Sequence, residues 1–259
     1  MSADQPTMLV FPTVEDMSTA AAAAMAGLIN RTVAQTGLFT LVLSGGSTPQ
    51  RLYRCLAETY ASRLPWEQIH LFWGDERGVP PNHPESNFRL AFESLIASVR
   101  IPYQNIHRIR GEDAASLEDA AAVAAAYDRE LRAFAHEIEH APSLAFNLLL
   151  LGMGEDGHTA SLFPGSTALA ETRRWVVAVD APAAYAIRTR VSMTLPLINQ
   201  AQNIFVLAAG AAKRPLVEMI QRDAVWAAQN YPIARVQPVH PITWFLDAAA
   251  APAPLSAAP

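Results

Sequence analysis

Leu38-Phe39-Thr40-Leu41-Val42-Leu43-Ser44-Gly45-Gly46-Ser47-Thr48-Pro49 reads as a strand that breaks into a helix. Its apolar first half suits a strand buried on both faces, as at the centre of a parallel sheet. The Ser-Gly-Gly-Ser run ends that strand, and Thr48 is placed to cap the helix that follows. Pro49 falls in the first helical turn, where its missing N–H costs nothing. The same alternation recurs outward in both directions. Leu9–Phe11 precedes an Ala-rich helical stretch from about Val14 to Gln35, and Ile69–Trp73 and Phe146–Leu151 are apolar runs that end in glycine. Ile204–Ala208 and Ile242–Leu246 read as late strands. Strands separated by helices predict right-handed crossovers and a mostly parallel α/β sheet. No linker or internal repeat divides the chain, so a single domain over residues 1–247 is expected. Residues 248–259, only Ala, Pro, Leu and Ser, read as a disordered tail.

Composition narrows the function. Of 259 residues 51% are apolar and 17% charged, which excludes a disordered or fibrous protein. The net charge is −5 with no long basic run, so no nucleic-acid partner is expected. An anionic ligand would have to be held by a local cationic pocket. Lys213 is the only lysine in a chain that otherwise uses arginine. The single Cys55 excludes an internal disulfide and suits a reducing compartment. The first basic residue is Arg31, and no apolar run is long enough to span a bilayer. The expectation is a soluble, cytoplasmic protein without a membrane or obligatory protein partner.

Parallel α/β sheets hold ligands at the carboxyl ends of their strands. Four such loops carry unusual residues. Ser44-Gly45-Gly46-Ser47-Thr48 combines close backbone approach, hydroxyl donors and a helix N-terminus, which suits phosphate, although it lacks the Gly-Lys-Ser/Thr ending of a P-loop. Gly74-Asp75-Glu76-Arg77 places charges directly after a strand, with Ser86-Asn87 beyond. The third loop, Gly152-Met153-Gly154-Glu155-Asp156-Gly157-His158, presents an imidazole on a glycine-rich turn, and histidine is the side chain best suited to proton transfer near neutral pH. In the fourth, Gly210-Ala211-Ala212-Lys213, a cation opens a helix, an unfavourable place unless an anion sits there too.

Together, Leu43–Pro49, Gly74–Pro80 with Ser86-Asn87, Leu151–Gly165, Arg190–Pro196, Gly210–Lys213 and Trp244–Asp247 resemble the 6-phosphogluconolactonase family, in order along nearly the whole chain. One departure is Asn82, where the family often has Asp. The resemblance implies a Rossmann-like fold shared with glucosamine-6-phosphate deaminases, a metal-free site without cofactor, and hydrolysis of 6-phospho-D-glucono-1,5-lactone, the second step of the oxidative pentose phosphate pathway. It implies His158 as the base, with Asp156 a candidate for orienting its ring. It also implies that Arg77 and Lys213 contact phosphate, and that Ser44, Gly45, Gly46 and Ser47 lie against the same ligand. Asn87 and Arg190 join the site without separate roles. A δ-lactone is an activated ester, so a base acting on water suffices and no nucleophilic side chain is required.

Four other readings rank lower. His136-Glu137-Ile138-Glu139-His140 matches the zinc-protease pattern, but the helix carrying it has its apolar stripe at Leu117, Ala124, Tyr127, Leu131, Phe134 and Ile138. His136 and His140 fall about 160° from Ile138 and face solvent. An amino-sugar-phosphate deaminase would, by resemblance, carry an acid soon after the motif histidine, and Thr159–Phe163 has none. A non-catalytic sugar-phosphate sensor would not need His158. A serine hydrolase would need a Gly-x-Ser-x-Gly elbow, which Ser44 and Ser47 lack. The remaining Tyr, Trp and Met residues read as core.

Overall fold

The computed structural model describes residues 6–138, 143–240 and 242–252. The strands are β1 (Thr7–Phe11), β2 (Phe39–Leu43), β3 (Ile69–Trp73), β4 (Asp75–Arg77), β5 (Ile106–His107), β6 (Leu148–Gly152), β7 (Val176–Asp180), β8 (Thr189–Met193), β9 (Ile204–Ala208) and β10 (Thr243–Asp247). The helices are α1 (Val14–Thr36), α2 (Ser47–Tyr60), α3 (Asn87–Ser94), α4 (Leu117–Ile138), α5 (Leu195–Ile198), α6 (Arg214–Arg222) and α7 (Ala224–Asn230).

Among the described residues, seven strands form one sheet in the order β1-β10-β9-β6-β2-β3-β5, every pair parallel. All five residues of β2 are buried, as expected of a central strand covered by helices on both faces. From β2 the chain builds outward through β3 and β5. It then returns to place β6 on the other side of β2 and continues through β9 to β10. The order therefore reverses between β2 and β6, where a crevice forms at the carboxyl ends.

Local bonding shapes that crevice. At the amino end Asn147 and Thr40 clasp each other: Thr40 N–H donates to Asn147 Oδ1 at 2.8 Å, and Asn147 N–H donates to Thr40 Oγ1 at 2.9 Å. The β2–β6 register covers only Leu41 with Leu148 and Val42 with Leu149, whereas β2 pairs with β3 over all five residues. The two strands are thus pinned at one end and unpaired at the other.

The sequence reading anticipates the parallel sheet and differs from the structure in four places. Asp75-Glu76-Arg77 is not a loop but β4, which joins β8 and β7 in a separate antiparallel sheet, order β4-β8-β7. Thr48 does not cap α2. Gly46 does, at φ 102°, and no side chain caps the helix, so its first N–H groups remain available. Ala250 and Ala251, which the sequence reading assigned to a tail, are packed: Ala250 N–H donates to Asp247 Oδ1 at 2.8 Å, and both residues are buried. Residues 253–259 lie outside the described part. On α4, Ala124, Tyr127, Leu131 and Phe134 are buried, but Leu117 at the helix start is exposed. His136 faces solvent, while Glu139 and His140 are outside the described residues.

Candidate active site

A cleft of about 420 Å³ opens at the switch point, lined by the loops after β2, β6 and β9 and by Asp75, Arg77 and Asn87. A larger groove of about 850 Å³ runs between α4 and β7, but its acidic residues are already paired, Asp128 with Arg132, Glu171 with Arg174 and Asp180 with Arg188. The cleft differs in a decisive way. Two buried polar atoms on its wall, Arg77 Nε and Asn87 Oδ1, have no hydrogen-bond partner among the described residues. Such atoms cost free energy unless a ligand meets them.

The β6 loop builds around His158. Gly157, at φ 80°, makes the turn, and Tyr231 packs so closely that a Cβ on Gly157 would fall 2.7 Å from its ring. Ile233 N–H donates to Gly157 O at 3.0 Å, and Thr159 Oγ1 donates to Gly152 O at 2.9 Å, tying the loop at both sides. The turn brings Asp156 back onto the imidazole: Oδ1 lies 2.6 Å from His158 Nδ1 and accepts the His158 backbone N–H at 3.1 Å. Burial raises the Asp156 carboxyl, but the His158 ring and backbone donors outweigh it and hold it below its usual range. With Nδ1–H directed to this carboxylate, Nε2 carries the lone pair. Gly154 is required beside it, since a Cβ there would sit 2.0 Å from Nδ1.

The β2 loop is held from below by Tyr53 of α2, whose hydroxyl donates to Ser44 O at 2.7 Å and accepts Ser44 N–H at 2.9 Å. Gly45 passes against Asn87, where a Cβ would lie 1.9 Å from Oδ1. Asn87 is fixed by two acids that the sequence reading could not separate. Asp75 accepts Asn87 Nδ2–H at its backbone oxygen (2.8 Å) and at Oδ1 (3.1 Å), while Ser161 Oγ donates to its Oδ2 at 2.6 Å. Glu76 accepts the backbone N–H groups of Arg77, Asn87 and Phe88, each at 2.8 Å, and Ser86 Oγ–H at 3.0 Å. It thereby anchors the start of α3. Burial pushes its carboxyl above the usual range despite these donors.

Three cations approach the cleft. Arg77 and Arg190 are direct partners across β4 and β8, so two guanidiniums share one face of the small sheet. Like charges so placed repel unless an anion lies between them. Burial, with the Arg77 charge adding to it, holds Arg190 below its usual pKa. Arg77 Nη1 also donates to Glu85 O at 2.6 Å. Lys213 is the N-cap of α6, and burial lowers its ammonium against the pull of Glu155 and Asp156. Its approach is set by Asp247, which accepts Gly210 N–H at 3.0 and 3.2 Å.

Of the residues singled out from sequence, Ser44, Gly45, Gly46, Ser47, Arg77, Asn87, His158 and Lys213 line this one cleft. Asp156 stands behind His158, and Arg190 beside Arg77. Sequence reasoning missed Tyr53, Ser161, Tyr185 and Tyr231. Tyr185 carried a usable signal, a lone aromatic in the small-residue stretch Ala181–Ile187.

The model of glucosamine-6-phosphate isomerases/6-phosphogluconolactonase matches residues 12–244. The chain is 41% identical over 220 residues to the 6-phosphogluconolactonase of Synechocystis sp., covering 85% of this chain and 86% of that protein. The structure of 6-phosphogluconolactonase from Trypanosoma brucei superposes with a TM-score of 0.83 at 30% identity, covering 95% of this chain and 97% of that one. A monomeric glucosamine-6-phosphate deaminase shares the fold at a TM-score of 0.78 and 19% identity, covering 94% and 98% of the two chains.

Proposed function

The chain belongs to the glucosamine-6-phosphate isomerase/6-phosphogluconolactonase family, and from that premise we propose that it hydrolyses 6-phospho-D-glucono-1,5-lactone to 6-phosphogluconate with His158 as the general base. The observation that carries the mechanism is the Asp156–His158 hydrogen bond at 2.6 Å on the wall of a cleft that also collects Arg77 and Lys213.

His158 Nε2 takes a proton from water, which attacks C1 of the lactone. The imidazolium is stabilised through Nδ1–H by the Asp156 carboxylate. Free N–H groups at the uncapped start of α2 are donors for developing negative charge. The protonated Nε2 then returns its proton to the ring oxygen as the C1–O bond breaks, giving the open-chain acid. Arg77, Arg190 and Lys213 hold the remote phosphate, and that binding energy positions the reacting carbon.

The residues disfavour a deaminase. Thr159 and Ser161, the polar side chains just after His158, are buried and committed to Gly152 O and Asp75 Oδ2. A sensor would not need His158 oriented by a carboxylate. The test is turnover of freshly generated phosphorylated lactone, corrected for its spontaneous opening, by wild type and His158→Ala. His158→Ala should lose about 10²–10⁴-fold in kcat while still binding phosphate. An Ala variant with wild-type kcat removes His158 from the mechanism, and turnover of glucosamine 6-phosphate reverses the choice of reaction.

A further inference from the structure

Tyr185 belongs to none of the sequence motifs, yet it reaches the base from another element. It sits in the connection between β7 and β8, part of the antiparallel sheet, and its hydroxyl lies 3.2 Å from His158 Nδ1. Its ring meets the imidazole edge to face, with centroids 5.8 Å apart and planes at 87°. Phe163 completes the cluster, 4.8 Å from His158 and 5.0 Å from Tyr185. The Arg190 guanidinium lies 5.7 Å from the Tyr185 ring centre.

This arrangement answers a weakness in the β6 loop. The Asp156–His158 bond joins residues two apart on a turn containing three glycines, and both side chains are partly open to water, at 39% and 22%. One such bond leaves the ring free to turn and water free to compete for Nδ1. Tyr185 and Phe163 restrict both. We propose that Tyr185 is a positioning residue for the general base: its hydroxyl oxygen accepts the second branch of the Nδ1–H bond, and its ring keeps the imidazole turned so that Nε2 faces the cleft. Two acceptors on Nδ1–H favour the imidazolium that forms as water is deprotonated, so the contribution falls on kcat. Tyr185 does not line the cleft, and removing its hydroxyl alone keeps the ring against Arg190, so substrate affinity is unchanged in Tyr185→Phe. The contact also ties the catalytic loop to β8, which carries Arg190, so base and phosphate contacts share one support.

The inference rests on His158 acting as the base, and the test separates the two. Four proteins are compared on the phosphorylated lactone: wild type, Tyr185→Phe, His158→Ala and the double variant, with Tyr185→Ala as a fifth and thermal melting as the check on folding. Tyr185→Phe removes one neutral hydrogen bond and should lower kcat roughly two- to tenfold, with KM unchanged. Tyr185→Ala should lose more, so that Phe restores part of the activity. In the His158→Ala background Tyr185→Phe should cost nothing further, because its effect passes through the imidazole. Wild-type kcat in both Tyr185 variants overturns the proposal, as does a loss confined to KM. A Tyr185→Phe loss of equal size with and without His158 overturns it too. If Tyr185→Ala fails to fold, Tyr185→Phe and the double variant decide alone. Should His158→Ala itself keep wild-type kcat, the base assignment falls, and this proposal with it.

Discussion

Replacing Lys213 with alanine tests how a chain of net charge −5 holds an anionic sugar. Lys213 caps α6 at the end of the β9 loop, and that loop is fixed by Asp247 through Gly210 N–H. Removing the ammonium therefore leaves the backbone of the loop supported. A hydrogen bond to a charged group contributes about 1.5–3 kcal/mol, or roughly 10- to 150-fold in binding. Lys213 is partly open to water and shares the cleft with Arg77, so the lower end applies, about tenfold in kcat/KM. The assay compares 6-phosphogluconolactone, freshly generated and corrected for spontaneous opening, with unphosphorylated gluconolactone. Only the first carries a phosphate for the lysine to meet. Lys213→Ala should lose about tenfold on the first and almost nothing on the second, and Lys213→Arg should restore part of the loss by retaining the charge. An equal loss on both substrates refutes phosphate reading by Lys213 and returns it to the role of a solvated helix-end cation.

Three further outcomes follow from the same geometry. Gly154→Ala forces a methyl to within 2.0 Å of His158 Nδ1, and a displacement of about 1 Å at the base costs on the order of 10² in kcat, measured in the same assay against an unchanged melting temperature. Chelation with EDTA, or His136→Ala on the solvent face of α4, should leave turnover unchanged; loss with EDTA that zinc restores would sink the metal-free reading. His70, remote from the cleft, concerns stability: burial, with the His107 charge adding to it, pushes its imidazole down to about 4 from 6.5. The unfolded chain takes up this proton near pH 6.5 and the folded chain only near 4, so the folded state loses stability as pH falls through that window. For this partly buried ring the change amounts to roughly 1 kcal/mol between pH 7 and 5, and His70→Gln should flatten the change in urea midpoint.

Which parts of this site are legible in the sequence follows from the range of the interactions that build them. The β2, β6 and β9 loops are legible because an apolar run followed by glycine is a local signal, and a parallel sheet sends all such loops to one end. His158 with Asp156 is local too, two residues apart on one turn. The small antiparallel sheet is not. Asp75-Glu76-Arg77 has no apolar period, and it becomes a strand only because Thr189–Met193, far along the chain, supplies its partner. That pairing sets Arg190 opposite Arg77. Neither residue alone indicates a phosphate site as strongly as the two charges side by side, next to an unpartnered Arg77 Nε. Tyr185 arrives by the same route, since the strands that present Arg190 also set the connection between them over His158. The proposed base can thus be read from one loop, whereas the proposed grip on the anion and clamp on the base depend on the distant strand pair. Sequence changes in β8 should therefore alter substrate discrimination and turnover together, while changes confined to the Gly152–His158 loop alter turnover alone.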